Sequence, residues 1–224
     1  MQKQISKKIL IYLFLFILLG TTNNKYFSEL YYNKIENINI SGLDEIENIQ
    51  LLKNLQSLEL KNIFLLDKIK IQKIIDSMNI INDYSVSKKY PSSLDIKINK
   101  TEYLANVTMK NKIFLLGSNG KLIETINYNK DLPNIFGKYD KDSFFNLFNT
   151  INKSKFSLND INNLFFFKSG RWDIETSSGI LIKLPKNNLE NSLNLSLEIM
   201  GDDQFNEISV LDLRQKNQVI INGK

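Results

Sequence analysis

The 224-residue sequence predicts an α+β protein with a single N-terminal transmembrane helix followed by two exported domains. Three observations support this prediction. A continuous apolar run occupies residues 9–19, and residues 35–98 read as strand, helix, helix, strand, strand from their apolar spacing. Beyond residue 104, short segments alternate apolar and polar residues between turn-forming residues, which is typical of strands. The second domain is therefore expected to be mixed α/β, built on an extended antiparallel sheet.

The N-terminal apolar run follows a short basic tail, residues 1–8, that contains three lysines. Basic residues before an apolar segment keep the N-terminus in the cytoplasm and direct the rest of the chain outward. The run has eleven residues, which is few for a bilayer span of about 20 and also fits the core of a signal peptide. Because no small-x-small cleavage site follows, we expect an uncleaved anchor at residues 9–22, with a cleaved signal peptide as the alternative. Residues 23–34, rich in Tyr and Phe, would form a juxtamembrane link.

The composition excludes several kinds of chemistry. The chain contains no Cys and no His, which removes disulfides, thiol catalysis, His-based proton transfer and most zinc sites. Its formal net charge of +5 comes from lysines that are scattered rather than clustered, so nucleic-acid binding is not favoured. We therefore expect no cofactor, no metal and no small-molecule substrate.

The first exported region, residues 35–103, shows the apolar periodicities of both strands and helices. Its elements are predicted, in order, as a strand at 35–40, a helix in the first half of 46–64, a helix at 68–78, and strands at 84–90 and 94–98.

The second exported region, residues 104–224, is organised around a hairpin that carries the single Trp of the chain. Trp172, Ile174 and Thr176 alternate with charged residues, and Gly179 supplies the turn before a second alternating run. The other elements are predicted as a hairpin at 105–126 with an Asn119-Gly120 turn, a helix at 143–151, a strand at 161–167, a helix at 189–200 capped by Asn187-Asn188 with Leu193, Leu197 and Met200 on its inner face, and strands at 208–213 and 218–221.

Arginine is restricted to two positions. Of the 29 basic residues only Arg171 and Arg214 are arginines, and both lie in strand-like segments. A guanidinium differs from an ammonium in presenting a planar fork of donors that matches a carboxylate. We predict that both arginines lie on a partner-binding face; the alternative is that one or both pair with an Asp or Glu of this chain.

Several segments, taken in order, resemble one known family. Residues 84–98 place a basic pair and Tyr90-Pro91 between two strands, and the Asn119-Gly120 turn follows. The hairpin at 171–185 and the run Asp212-Leu213-Arg214 come later. As an ordered set these segments resemble the FtsQ/DivIB family of bacterial cell division proteins, in which the first exported region would be a POTRA domain and the second the C-terminal β domain.

The resemblance departs from the family at one junction. The family usually has Glu-Arg-x-Pro-x-Ala after the second POTRA strand, whereas residues 100–105 here keep only Ala105. The contacts that the usual Glu and Pro make in the family are therefore not expected here.

The resemblance implies a scaffold rather than an enzyme. Members of this family connect early and late division proteins at the septum, chiefly by binding the FtsB–FtsL pair. The expected location is accordingly the inner membrane, with a single pass, the bulk of the chain in the periplasm, and concentration at the division septum.

A partner site is expected near the C-terminal end of the chain. A terminal strand such as residues 211–221 at a sheet edge could accept an extended segment of the partner as an added strand. Arg214 would meet a partner carboxylate. The other predicted contributors are Gln215, Asn217, Gln218, Val219 and Arg171.

A second candidate site is the basic run Lys88, Lys89, Tyr90 and Pro91, in the domain that the family uses for localisation and for contacts with other division proteins. A solvated basic strand is the alternative interpretation of this run.

Two other classes of function remain. One is a POTRA-bearing export or outer-membrane assembly factor, although such proteins usually carry several POTRA repeats or a barrel. The other is an anchored enzyme, which without His or Cys would need a Ser–Lys or carboxylate pair. No Gly-framed Ser and no phosphate-binding Gly loop occurs in the sequence, so no catalytic residue is predicted.

Overall fold

The computed structural model describes residues 7–21, 35–58, 63, 66–202, 207–216 and 218–223. The predicted link at residues 23–34 lies outside them. Helix α1 spans Lys7–Thr21, in the segment predicted as the anchor, and its described side chains up to Leu19 are exposed. Across the described residues, no helix combines the length and the apolar character that crossing a membrane requires.

The chain divides into two compact units, residues 1–72 with 85–97, and residues 73–84 with 98–224.

The region after α1 forms a three-stranded sheet and two helices in the predicted order. The elements are β1 at Asn37–Ser41, α2 at Glu45–Gln56, α3 at Lys68–Asp76, β2 at Ile81–Lys89 and β3 at Ser93–Lys100. The strand order is β1-β3-β2, with β1 and β3 parallel. Ile38 lies opposite Leu94, and Ile40 opposite Ile96. The strand–helix–helix–strand–strand prediction is therefore confirmed.

Acidic residues fix the start of both helices. Glu47 in the first turn of α2 accepts a hydrogen bond from the backbone N–H of Asp44, which is one half of a capping box. Asp67 precedes α3 and accepts from the backbone N–H groups of Ile69 and Lys70. These acceptors satisfy N–H groups that have no partner within a helix. The apolar residues that the helices bury are Leu51, Leu55, Ile71 and Ile75.

The remaining residues form a nine-stranded sheet with two further helices, as far as the structure describes them. The elements are β4 at Tyr103–Met109, β5 at Lys112–Gly117, β6 at Leu122–Thr125, β7 at Asn134–Phe136, α4 at Lys141–Lys153, β8 at Ile161–Phe166, β9 at Trp172–Thr176, β10 at Leu181–Lys183, α5 at Leu189–Met200, β11 at Ile208–Asp212 and β12 at Ile220–Gly223. The strand order is β12-β11-β10-β9-β8-β7-β4-β5-β6.

The prediction of an antiparallel sheet is wrong, because the sheet is mixed. β4 pairs in parallel with β7, β7 with β8, and β10 with β11. Helix α4 connects β7 to β8, and α5 connects β10 to β11. A helical crossover carries the chain back to the end of the sheet at which the previous strand began, so the next strand runs parallel to the previous one. The two predicted helices are therefore the crossovers that make the β7–β8 and β10–β11 pairs parallel.

Tight turns join several of the strands that pair antiparallel. Lys110 and Asn111 join β4 to β5 with positive φ values of 49° and 62°, and Gly120 completes the next turn with φ at 71°. Positive φ at these positions matches the right-handed twist of the flanking strands. The predicted hairpin at 105–126 is thus two consecutive hairpins. The hairpin of β9 and β10 is confirmed, and Gly179 has φ at 83° in its turn.

One cross-strand row of apolar residues forms the core face of this sheet. Each member is in register with the next, from β12 to β5. The row consists of Ile221, Leu211, Ile182, Ile174, Leu164, Ile135, Val107 and Phe114.

Both crossover helices pack against this row. Phe144, Leu147 and Ile151 of α4 and Leu193 of α5 belong to the same buried cluster as the row. The predicted inner face of α5 is confirmed: Leu193 is buried in the cluster, and Leu197 and Met200 are half-buried and pack against it. Two small residues, Ser192 and Ser196, complete the buried face of α5.

Candidate partner-binding site

A row of charged residues crosses β9, β10 and β11 on the face opposite the core. Lys183 of β10 is in register with Asp173 of β9 on one side and with Asp212 of β11 on the other. Their neighbours in each strand belong to the apolar row, and side chains alternate along a strand, so the three charged residues face away from the core. Both aspartates are nevertheless buried.

Arg214 lies just beyond the end of β11 and binds Asp212 at several points. Its Nε donates to Asp212 Oδ1 at 2.8 Å and to Oδ2 at 3.0 Å, and its Nη2 also donates to Oδ2. The backbone N–H of Arg214 donates to the same carboxylate at 3.1 Å. The side chain of Arg214 remains 38% exposed, whereas that of Asp212 is 9% exposed.

Arg171 lies just before β9 and contacts three groups. Its Nε donates to Asp173 Oδ1 at 3.4 Å, and its Nη1 reaches Ser169 Oγ at 3.5 Å. The guanidinium lies 4.3 Å from the centre of the Phe167 ring, which is within the range of a cation–π contact. Both arginines are therefore paired with an aspartate of this chain two residues away.

The two aspartates respond differently to this environment. Hydrogen bonds from Arg214 are the largest influence on Asp212, and they lower the pKa of its carboxyl group despite partial burial. Burial is the largest influence on Asp173 and raises its pKa, although Arg171, Arg214 and Lys183 all act in the opposite direction. Asp212 also raises the pKa of Arg214.

A groove of about 890 Å³ begins next to Arg214. One wall is the N-terminal turn of α5, and the other is the segment that connects β11 to β12. The predicted residues Arg214, Gln215, Gln218 and Val219 all line this groove. Its other lining residues are Pro185, Lys186, Asn187, Asn188, Asn191, Ser192, Leu195, Leu213 and Lys216. The charged side chains that line the groove are thus all cationic, and five further lining residues carry amides. Asn217 lies outside the described residues.

The predicted strand at residues 211–221 is interrupted. β11 ends at Asp212 and β12 begins at Ile220, and the described residues between them form the groove wall. Asp212 binds the backbone N–H of Arg214, which turns the chain away from the strand direction. The sheet edge is therefore β12, while Arg214, Gln215, Gln218 and Val219 lie beside it rather than on it.

The sequence predicted a common face for Arg171 and Arg214 without fixing how far apart their strands lie, and the structure places β10 between β9 and β11. The prediction missed the aspartates and Lys183. The sequence does contain a signal for the two arginine–aspartate pairs. Arg171-x-Asp173 and Asp212-x-Arg214 each put opposite charges two residues apart, on one face of a strand.

The second candidate site lies at the end of β2. Lys88 and Lys89 are its last residues, and Tyr90 and Pro91 follow in the turn to β3 with a cis peptide bond between them. Lys89 forms an ion pair with Asp95 of β3. Tyr90 and Pro91 are exposed. The structure therefore brings these four residues together at one turn.

Among the described residues, no cluster of three or more acidic side chains is arranged to hold a metal ion.

Comparison with known proteins identifies two adjoining domains. Residues 33–101 match the POTRA domain of FtsQ type, and residues 105–214 match the C-terminal domain of cell division protein FtsQ/DivIB.

Several similar proteins carry the same description. The chain is 28% identical over 191 residues to the cell division protein FtsQ of Rickettsia bellii, which covers 84% of this chain and 72% of that protein. It is 26% identical to the FtsQ of Rickettsia typhi with the same coverage. It is 19% identical to the FtsQ of Rhizobium meliloti, with 84% and 62% covered.

A solved structure shows a slighter likeness. The major extracytoplasmic domain of the cell division protein DivIB from Geobacillus stearothermophilus matches with a TM-score of 0.34 and 16% identity, covering 42% of this chain and 87% of that one. The two domain matches, in this order along the chain, and the similar proteins lead to one conclusion. The chain belongs to the FtsQ/DivIB family of bacterial cell division proteins.

Proposed function

We propose that this chain is a non-enzymatic scaffold of the division machinery that links early and late division proteins at the septum. Its partners are other division proteins, and the main ones are FtsB and FtsL. The C-terminal domain binds them by accepting an extended segment at the edge of its sheet. The observation that supports this proposal most directly is the position of β12, beside the groove that carries Arg214.

The edge at β12 is suited to strand addition. β12 pairs with β11 on one side and is the last strand in the order of the described sheet. Ile220, Asn222 and Gly223 are exposed. In an edge strand, alternate backbone N–H and C=O groups point outward and can pair with an incoming segment. Main-chain hydrogen bonds would supply affinity there, and side-chain contacts would set the register.

Arg214 supplies the charged contact of this proposal. Its guanidinium is partly exposed and lines the groove next to β12. Gln215, Gln218 and Val219 share that wall, so a partner that adds a strand at β12 would pass them. Arg171 extends the cationic surface toward β9.

The proposal includes an inner-membrane location, with residues 1–8 in the cytoplasm, residues 9–22 as the single-pass anchor, and the rest in the periplasm. The apolar side chains of α1 are exposed from Ile9 to Leu19. A fully apolar helix surface needs a nonpolar environment. We also propose that Lys88, Lys89, Tyr90 and Pro91 form a second contact surface of the POTRA domain for other division proteins.

Binding measurements test the main proposal. The full-length chain in lipid nanodiscs is titrated with the periplasmic segment of FtsB from the same organism, alone and with that of FtsL. We expect saturable binding that Arg214→Gln weakens by about 10-fold to 100-fold, because a charge-assisted hydrogen bond contributes about 1.5–3 kcal/mol. Lys155→Gln is the matched control, since Lys155 is exposed and lies after α4. Absence of saturable binding by the folded chain would overturn the proposal.

Cysteine cross-linking locates the added strand. The chain contains no Cys, so a single introduced residue reports one position. Ile220→Cys on β12 is expected to form a disulfide with a cysteine scanned along the FtsB segment. Thr125→Cys on β6, at the opposite edge of the described sheet, is the control. Cross-linking at Thr125→Cys in place of Ile220→Cys would contradict addition at β12.

A further inference from the structure

The sequence contains two Asn-Gly pairs, Asn119-Gly120 and Asn222-Gly223. In such a pair the backbone nitrogen of glycine attacks Cγ of the asparagine side chain, because glycine has no Cβ to hinder the approach. The side-chain nitrogen leaves as ammonia, a succinimide ring closes, and water opens the ring to aspartate or isoaspartate. One water is consumed and one ammonia is released, so no other reactant is needed. The fold holds these two chemically identical pairs in different ways.

Asn119 and Gly120 are fixed in the turn between β5 and β6. The amide nitrogen of Asn119 donates to two backbone carbonyl oxygens near the start of β2 at 2.9 Å each, and its Oδ1 accepts from the backbone N–H of Lys121 at 2.9 Å. The attacking group is engaged as well, since the backbone N–H of Gly120 donates to the carbonyl oxygen of Gly117 at 2.8 Å. Both reacting groups must therefore break hydrogen bonds before they can meet.

Asn222 and Gly223 are exposed and lie at the end of β12. Ser209 Oγ donates to the backbone carbonyl oxygens of both residues, at 3.1 and 3.0 Å. Within the part of the chain that the structure describes, the side-chain amide of Asn222 has no hydrogen-bond partner. The pairing of β12 with β11 is irregular between Ile208 and Val210. Because the end of an edge strand opens locally at a small cost in free energy, the reacting groups of this pair can meet.

Deamidation at Asn222 changes the sheet edge on which the proposed function depends. Isoaspartate carries the main chain through the former side chain, which adds one methylene to the backbone and leaves a carboxylate as a branch on the strand. A strand can be added only where N–H and C=O groups keep the strand repeat of about 3.3 Å per residue. The extra methylene moves the groups that follow residue 222 out of that repeat.

We propose that Asn222 is a site of spontaneous deamidation, and that its conversion to isoaspartate prevents strand addition at β12. The modification withdraws individual chains from partner binding as they age. The effect on binding rests on the proposed partner-binding function, whereas the site of modification does not. Asn119 has the same neighbour in the sequence and is protected by its hydrogen bonds, so the chain contains its own reference site.

Peptide mapping by mass spectrometry tests the site without a partner. The full-length chain in lipid nanodiscs is kept at mildly alkaline pH, and conversion is followed for each Asn-Gly peptide, with electron-transfer fragmentation to distinguish isoaspartate from aspartate. We expect Asn222 to convert at least about 10-fold faster than Asn119, because several hydrogen bonds must open first at Asn119. In guanidinium chloride, where the fold is lost, the two rates should converge. Equal rates in the folded chain, or no conversion of Asn222 there, would overturn the assignment.

Gly223→Ala is the matched variant for the mapping experiment. The nearest atom to a Cβ at residue 223 is the carbonyl oxygen of Glu207 at 3.4 Å, which is an ordinary contact, so the fold accommodates the methyl group. The methyl group hinders attack by the backbone nitrogen. Conversion of Asn222 should therefore be lost over the time in which the wild-type chain converts, while conversion of Asn119 stays the same. Unchanged conversion of Asn222 would show that this nitrogen is not the attacking group and would overturn the mechanism.

Binding of the periplasmic segment of FtsB from the same organism tests the consequence. Chains enriched in isoaspartate at residue 222 are compared with unmodified chains and with Asn222→Asp, which adds the charge without the methylene. We expect isoaspartate to weaken binding about 10-fold or more, because it removes main-chain hydrogen bonds to the added strand, and Asn222→Asp to weaken it less. Equal binding by isoaspartate and unmodified chains would overturn the effect on β12. Failure of the unmodified chain to bind would overturn the proposed function and this effect with it, whereas the mapping experiment would still decide the site.

Discussion

Removing the hydrogen bond between Trp172 and Ser143 tests whether this bond helps to hold α4 on the sheet. Trp172 is 2% exposed, and its indole N–H donates to Ser143 Oγ at 2.9 Å. Ser143 lies in the first turn of α4, where its own backbone N–H donates to the N-cap residue Asp140 at 2.7 Å. Ser143→Ala removes the hydroxyl acceptor and keeps the cap. The substitution therefore leaves a buried N–H group without this acceptor.

The expected loss in the free energy of unfolding for Ser143→Ala follows from two opposing contributions. An unpaired buried donor costs about 1–3 kcal/mol, and Ala is a better helix former than Ser by about 0.5 kcal/mol. The net loss for Ser143→Ala is then about 1.5 kcal/mol. In a chain of this size, 1 kcal/mol shifts the melting temperature by about 2–4 °C. We expect a decrease of about 3–6 °C by the same relation.

Intrinsic fluorescence measures this decrease directly, because Trp172 is the only Trp of the chain. Thermal unfolding of the full-length variant is followed by the emission of Trp172. Thr150→Ala on the same helix is the control, since its hydroxyl donates only to the backbone oxygen of Asn146 within α4. A melting temperature for Ser143→Ala that equals that of Thr150→Ala would refute the assigned role of the hydrogen bond.

Three further substitutions have defined outcomes. Gly137→Ala should lower the melting temperature markedly, because Gly137 has φ at 98° and a Cβ there would overlap the carbonyl oxygen of Phe166; wild-type stability would contradict this. Asn119→Ala should lower the melting temperature by about 4–8 °C, because the Asn119 amide donates to two backbone carbonyls near the start of β2 at 2.9 Å each. Hydrogen exchange of the β2 amides should become faster in the same variant. Hydrogen bonds from Arg214 lower the pKa of Asp212 in the folded chain. The carboxylate of Asp212 therefore contributes stability above the unfolded pKa, and that stability is lost as pH falls through the folded pKa. Asp212→Asn should therefore flatten the acid limb of a melting-temperature profile, and an unaltered profile would count against the pairing.

The elements of this fold could be predicted from the sequence because their signals are local. Trp172, Ile174 and Thr176 alternate within one strand, and Gly179 marks the turn that follows. The parallel pairing was missed although part of its signal was present, because a helix was predicted between β10 and β11 and a helix between two strands favours a parallel pair. Which strands lie next to each other in the sheet is not encoded locally.

Burial of Asp173 shows a second limit. The position of Asp173 in the alternating pattern predicts an exposed side chain, yet only 2% of the residue's surface is accessible to solvent. Phe165 of β8 and Lys183 of β10 lie in register on either side of it, and Arg171 binds it. A residue on the outer face of a wide sheet is covered by its cross-strand neighbours, and those are unknown until the register is known.

The candidate site shows the same division between local and nonlocal information. Gln215, Gln218 and Val219 were predicted from their nearness to Arg214 in the chain, and they do line its groove. The strand that was to carry them ends at Asp212 instead. An Asx-type turn, made by Asp212 with the N–H of Arg214, ends the strand.

The restriction of guanidinium to Arg171 and Arg214 has a physical reason in these contacts. An ammonium is a compact charge, so a lysine beside Asp212 would direct its donors at that carboxylate and present no second, separately oriented edge. A guanidinium satisfies the aspartate with Nε and Nη2 and keeps the Nη1 side for another carboxylate. The aspartate that pairs with Arg214 inside the chain therefore also fixes the direction in which the remaining donors of that guanidinium point. Pairing within the chain and binding on a partner-facing surface, which the sequence presented as alternatives, are compatible for a guanidinium.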